Sequence, residues 1–256
     1  MAEWTHAKSA VGHHRTYLGT AVRQLGDRVS PPPPDVALAA ADRQVFRETR
    51  ALQGSPRWKQ AANDTDQSAP ALLKAFSCAS GLNLTAKRAP HLAALLDTAG
   101  TDGSHIASRA KSKFRRARPY LLDRGATCRT TQGLGDFHDY PSGHSSRGWT
   151  WALVLAELLP DRREQLLSRA NAYAESRVIC GFHSPTGAKA GRSVATLTVD
   201  SLMRNPSFRA DMRQAARELA VLKQEGEVPA ARRCQSDRIM LDSASARVST
   251  TAPAGS

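Results

Sequence analysis

The apolar residues of this chain fall in short runs rich in alanine and leucine, opened by proline or closed by glycine, and that pattern restricts it to helices. Val36–Gly54 (VALAAADRQVFRETRALQG) has helical spacing, with Gly54 as its stop. Ser55-Pro56 reads as an N-cap and first helical residue, opening a helix to about Asn63. Ala69–Gly81 and Pro90–Gly100 are two more short helices with glycine ends. Another is expected from about Gly103 to Arg116, delivering Lys111 and Arg118 near its C-terminal end. Ser145–Leu159 (SSRGWTWALVLAELL) is a strongly apolar helix, and Asp161–Gly181, Gly187–Met203 and Arg209–Gly226 follow. Leu121–Tyr140 reads as a loop, and no segment makes a convincing strand or an internal repeat. The expectation is an all-α single bundle. Residues 1–34, ending in the helix-incompatible VSPPPP, form a flexible lead-in; 35–227 form the helical domain; 228–256 form a polar, disordered tail.

No apolar run reaches the roughly 18 residues needed to cross a bilayer. The first twenty residues lack the apolar core of a secretory signal, about 7–15 residues long. A formal charge of +13 raises the question of nucleic acid, but the basic residues are scattered apart from Lys111–Arg118 (KSKFRRAR). A basic cluster without a recognised binding fold argues weakly for nucleic acid, and the same field attracts small phosphorylated substrates.

Part of that cluster belongs to a chemical constellation. Lys111, Arg118-Pro119, Pro141-Ser142-Gly143-His144, Ser176-Arg177 and His183 occur in order. Two guanidinium forks and an ammonium suit the three equatorial oxygens of a transferring phosphoryl group. Pro141–His144 precedes the apolar helix, so its backbone N–H groups and the helix dipole favour an anion there. Two histidines permit one imidazole to attack phosphorus while the other handles the proton of the leaving oxygen. With three cations supplying charge, this chemistry needs no metal and no cofactor.

The three blocks and their spacing resemble the signature of the type 2 phosphatidic acid phosphatase superfamily, and within it the bacterial class A non-specific acid phosphatases. Ser176–His183 (SRVICGFH) and Ala41–Trp58 share the likeness, which covers roughly Pro32 to Arg217. The resemblance implies a helical bundle of that kind, with the active site at helix ends and loops. It implies that Lys111, Arg118, Ser142, Gly143 and Arg177 bind phosphate, that His144 is the general acid and that His183 is the nucleophile. It also implies a periplasmic or secreted enzyme that hydrolyses phosphate monoesters through a phosphohistidine, without metal.

One member of the family pattern is missing. An orienting Asp belongs four residues after the nucleophilic His, and this chain has Gly187 there. Such a carboxylate holds the ring and its tautomer, so its loss is expected to slow turnover by a factor on the order of 10²–10⁴, recoverable in Gly187→Asp. Ser184 and Thr186 offer weaker hydroxyl acceptors, and Asp200 lies too far along the next helix. Two alternatives therefore stand beside the phosphatase: a phosphate-binding pseudoenzyme without turnover, and a vanadate-dependent haloperoxidase, which shares the pocket.

Other residues carry bland readings. His138 reads as an exposed loop histidine, and His6, His13, His14, His91 and His105 as incidental. Trp149 and Trp151 read as core. Cys180 reads as a buried free thiol, and Cys128 with Cys234 as the candidate disulfide. A homo-oligomer stays open.

Overall fold

The computed structural model describes residues 16–132 and 138–238. Its elements are α1 (Ala21–Asp27), α2 (Val36–Thr49), α3 (Pro56–Asn63), α4 (Ala69–Ser80), α5 (Pro90–Phe114), α6 (Pro119–Leu122), α7 (Gly143–Leu158), α8 (Arg163–Ile179), α9 (Pro185–Leu202) and α10 (Pro206–Gln224). No strand occurs among the described residues, so the fold is all-α as expected.

Most starts follow the local chemistry. Asp35, Ser55, Ser68, Ser142, Ser184 and Asn205 each cap a helix with a side-chain oxygen. Gly81 ends α4 in the left-handed conformation.

Helix α7 is the axis of the bundle, with α5, α8 and α9 packed around it. It is apolar nearly all round because its neighbours cover it on every side. Trp151, Val154 and Leu155 are fully buried, and Trp149 nearly so; Phe76 of α4 stacks on Trp151 at 6.5 Å. Both tryptophans are core residues. No helix among the described residues is long and apolar enough to cross a membrane.

Three expectations are corrected. Gly100 does not end a helix and Gly103 does not begin one, because α5 runs unbroken from Pro90 to Phe114. They let α7 come close: a Cβ on Gly100 would stand 2.7 Å from Trp151 Nε1, and one on Gly103 2.9 Å from the hydroxyls of Ser146 and Thr150. Arg118 is not on that helix. The chain leaves α5 at Arg115, with φ 48°, and Arg118 takes the extended N-cap position of α6, ahead of Pro119. The cysteines pair as Cys78–Cys234 and Cys128–Cys180, with Cα separations of 5.4 and 4.9 Å that suit disulfides. Cys180 is therefore not a free thiol, and Cys128 does not pair with Cys234.

Both ends of the chain carry more order than composition suggests. Within 1–34, α1 buries Leu25 in a cluster with Ile106, Ala107 and Val194, and Tyr17 N–H donates to Asp102. Within 228–256, residues 231–238 are helical and tied to α4 by the Cys78–Cys234 disulfide. His6, His13 and His14 lie outside the described residues.

Candidate active site

Four helix ends meet at one place. Ser142 caps α7 through its Oγ, which accepts from Ser145 N–H, so Gly143 and His144 open the helix with their backbone donors uncommitted to the helical ladder. Arg177 sits in the last turn of α8. Gly181, at φ 79°, then turns the chain sharply enough for the N–H groups of Phe182 and His183 both to reach the Arg177 carbonyl, at 3.1 and 3.2 Å. The next residue, Ser184, caps α9. His183 is thus held between the end of α8 and the start of α9. Lys111 comes from the last turn of α5, with its Nζ 3.5 Å from where a Gly143 Cβ would be.

The cations are arranged around Phe182. The guanidinium of Arg177 lies 4.8 Å from the ring centre and that of Arg118 5.9 Å. Arg118 Nη1 donates to the Phe182 carbonyl at 2.9 Å and stands 3.4 Å from His183 Nε2. Arg118 Nε, Arg177 Nε and Arg177 Nη1 are buried without a hydrogen-bond partner among the described residues. Buried guanidinium donors are costly unless they meet an anion, so this cluster is set up to receive one.

The cost shows in the ionisation of the group. Burial and the Arg118 charge pull Lys111 down to about 8. Burial pulls Arg177 down to about 10. Desolvation, then the neighbouring cations, hold His183 well below the usual histidine range. Desolvation and Arg177 do the same to His144, whose Nε2 lies 3.1 Å from the Thr65 carbonyl. Both rings are neutral at ordinary pH, and a bound phosphate dianion would raise both.

The His183 tautomer follows from its neighbours. Nδ1 is 2.7 Å from the main-chain oxygen of Asp139, which can only accept, so Nδ1 carries the proton. Nε2 is left with its lone pair, on the side where Arg118 stands.

Lys111, Arg118, Gly143 and His144 line one cavity of about 470 Å³, together with Gln67, Thr101, Ser104, His105, Ser108 and Arg147. Its walls are mostly polar, and His105 belongs to it although nothing in the sequence set that residue apart. Ser142 is fully buried. His138 is exposed.

Position 187 is crowded. Gly187 O accepts from Ser142 N–H at 2.8 Å, and a Cβ there would fall 2.5 Å from Asp139 O and 3.0 Å from Asp139 Oδ1. The carboxylate of Asp139 is the one beside His183, with Oδ1 3.5 Å from Nδ1. The hydroxyls considered as substitutes point elsewhere. Ser184 Oγ donates to Asp139 Oδ2 and Thr186 Oγ1 to Asp42 Oδ1. Asp200 is exposed. Arg116, Asp139 and Thr65 are the neighbours that spacing rules could not reveal.

A family model described as PAP2 superfamily matches residues 92–209. The chain is 37% identical over 204 residues to an acid phosphatase of Zymomonas mobilis subsp. mobilis, covering 78% of this chain and 77% of that protein. It is 39% identical over 198 residues to a non-specific acid phosphatase of Providencia stuartii, covering 75% and 80%. A non-specific acid phosphatase of Salmonella typhimurium is 36% identical over 194 residues, covering 74% and 78%.

Proposed function

Because the chain belongs to the PAP2 superfamily and is an acid phosphatase, we propose that residues 35–227 hydrolyse small phosphate monoesters through a phosphohistidine on His183, without a metal. One observation carries the reading: the His183 tautomer leaves Nε2 unprotonated, close to Arg118, in a cluster where Arg118 Nε and Arg177 Nε and Nη1 are buried with no hydrogen-bond partner among the described residues.

In the first step the Nε2 lone pair attacks phosphorus and the P–O ester bond breaks. Lys111, Arg118, Arg177 and the Gly143 N–H hold the three phosphoryl oxygens and the charge that develops on them. His144, made more basic once the dianion offsets its cationic neighbours, gives its proton to the leaving oxygen. The phosphorylated ring keeps its proton on Nδ1, which goes on donating to Asp139 O. In the second step a water gives a proton to His144, its oxygen attacks phosphorus, and the P–N bond breaks with its electrons returning to Nε2. Ser142 supports this by capping α7, and Gly187 contributes no carboxylate.

The two disulfides fit a protein that works outside a reducing cytosol. The periplasm or the extracellular space is the compartment we propose.

The test is a rapid base quench with a radiolabelled aryl phosphate, since phosphohistidine survives base. Label is expected on the His183 peptide, absent in His183→Asn, and accumulating in His144→Ala because the second step lacks its base. Turnover with no label at His183 at any time point would sink the mechanism.

A further inference from the structure

The geometry points to Asp139 as the positioning residue of His183, filling from a different part of the chain the role that Gly187 cannot. The inference rests on His183 being the nucleophile and adds to it the group that holds the ring.

Asp139 touches the imidazole in two ways. Its main-chain oxygen accepts a hydrogen bond from Nδ1–H, 2.7 Å from the nitrogen, and so fixes the tautomer. Its carboxylate lies behind that contact, Oδ1 3.5 Å from Nδ1. When Nε2 takes the phosphoryl group the ring becomes a cation, and a negative charge at that distance in a buried site stabilises it. Tautomer and charge, which one carboxylate supplies in the usual arrangement, are divided here between the two carbonyl-bearing ends of one residue.

The carboxylate is itself held in place. Oδ1 accepts from Ser184 N–H and Oδ2 from Ser184 Oγ, both at 2.7 Å. Arg116 Nη1 lies 3.3 Å from Oδ2, its Nη2 donates to Asp42 at 2.7 Å, and its carbonyl accepts from Asp139 N–H at 3.0 Å. Burial pushes the Asp139 carboxyl up, while the Ser184 hydrogen bonds and the Arg116 and Arg118 charges pull it back towards the ionised form, so His183 stands between this carboxylate on one side and the cation cluster on the other. A carboxylate this deeply buried is expensive to keep for packing alone.

Gly187 is the counterpart of this arrangement. Its missing side chain is the space that Asp139 O and Oδ1 occupy. The close approach to a main-chain oxygen, which no rotamer change relieves, means that any side chain at 187 displaces Asp139.

Asp139→Asn separates the two contributions, because it keeps the main-chain oxygen and an acceptor for Ser184 while removing the charge. We expect kcat with an aryl phosphate to fall about 10–100-fold, with KM and the Kd for inorganic phosphate within threefold of wild type and an unchanged melting temperature. Gly187→Asp and Gly187→Ala are expected to lose activity. Base-quench labelling of wild-type His183 is measured in parallel. If His183 is labelled but Asp139→Asn keeps kcat within threefold, the positioning role is overturned and the nucleophile stands. If wild type shows no label at His183, both fall. A joint collapse of kcat, phosphate affinity and melting temperature in Asp139→Asn, or a gain in Gly187→Asp, also overturns the inference.

Discussion

Arg169 of α8 and Asp64, the residue that closes α3, meet inside the bundle with Nη2 2.6 Å from Oδ1. Asp64 Oδ2 also accepts from Ser176 Oγ at 2.6 Å, and Ser176 in turn receives Arg57 Nη1 at 2.9 Å. Both partners are almost wholly buried, so removing one leaves a charge stranded. Asp64→Ala is expected to lower unfolding free energy by about 3–5 kcal/mol, read from urea denaturation. It should also lower kcat, because the adjacent Thr65 carbonyl holds the His144 ring. Full stability in this variant would contradict the account of the network.

The depressed lysine gives a pH dependence of two signs. Folded Lys111 loses its proton near 8, and the unfolded chain near its ordinary value of 10.5. Between those values the unfolded state binds more protons, so this group makes stability rise with pH. If Lys111 holds phosphate as proposed, binding needs the protonated amine, so affinity falls over the same window, by up to about tenfold per pH unit. The wild-type minus Lys111→Met difference isolates both effects. Calorimetric Kd values for inorganic phosphate and thermal melts from pH 7 to 10 should show them moving in opposite directions.

The disulfides should differ in what they protect. Loop entropy alone gives about 4 kcal/mol for Cys128–Cys180 and about 5 for Cys78–Cys234, whose partners are 52 and 156 residues apart. Cys180 closes α8 two residues before Phe182, against which Arg118 and Arg177 lie. Replacing Cys128 and Cys180 with alanine is expected to lower kcat as well as the melting temperature. Replacing Cys78 and Cys234 should lower the melting temperature while leaving kcat within about twofold.

Orthovanadate, which adopts the trigonal geometry of the transferring group, is expected to compete with substrate through the same cations. Excess EDTA should leave turnover unchanged. A chelator-sensitive rate restored by a divalent ion would contradict the metal-free mechanism.

The sequence yields those features that depend on neighbouring residues. Ser55 and Gly81 mark helix ends because capping is a matter of one or two positions. The Pro141–His144 turn announces the start of α7 for the same reason. Gly100 and Gly103 look like a stop and a new start, since the helix they allow α5 to accept is far away in sequence. The short run at α1 has too few apolar residues to declare itself, and only the cluster around Ile106 explains it. Cysteine pairing needs Cα separations that composition does not contain. The family pattern points along the helix after His183, at the distance a helical turn permits. The carboxylate beside the ring belongs instead to Asp139, 44 residues earlier in the chain.

Asp139 and Gly187 divide a single volume, so the two positions are physically coupled. A side chain at 187 cannot be held without moving the main-chain oxygen of Asp139. An acid four places after the histidine is then not the sole way to set a carboxylate beside its ring.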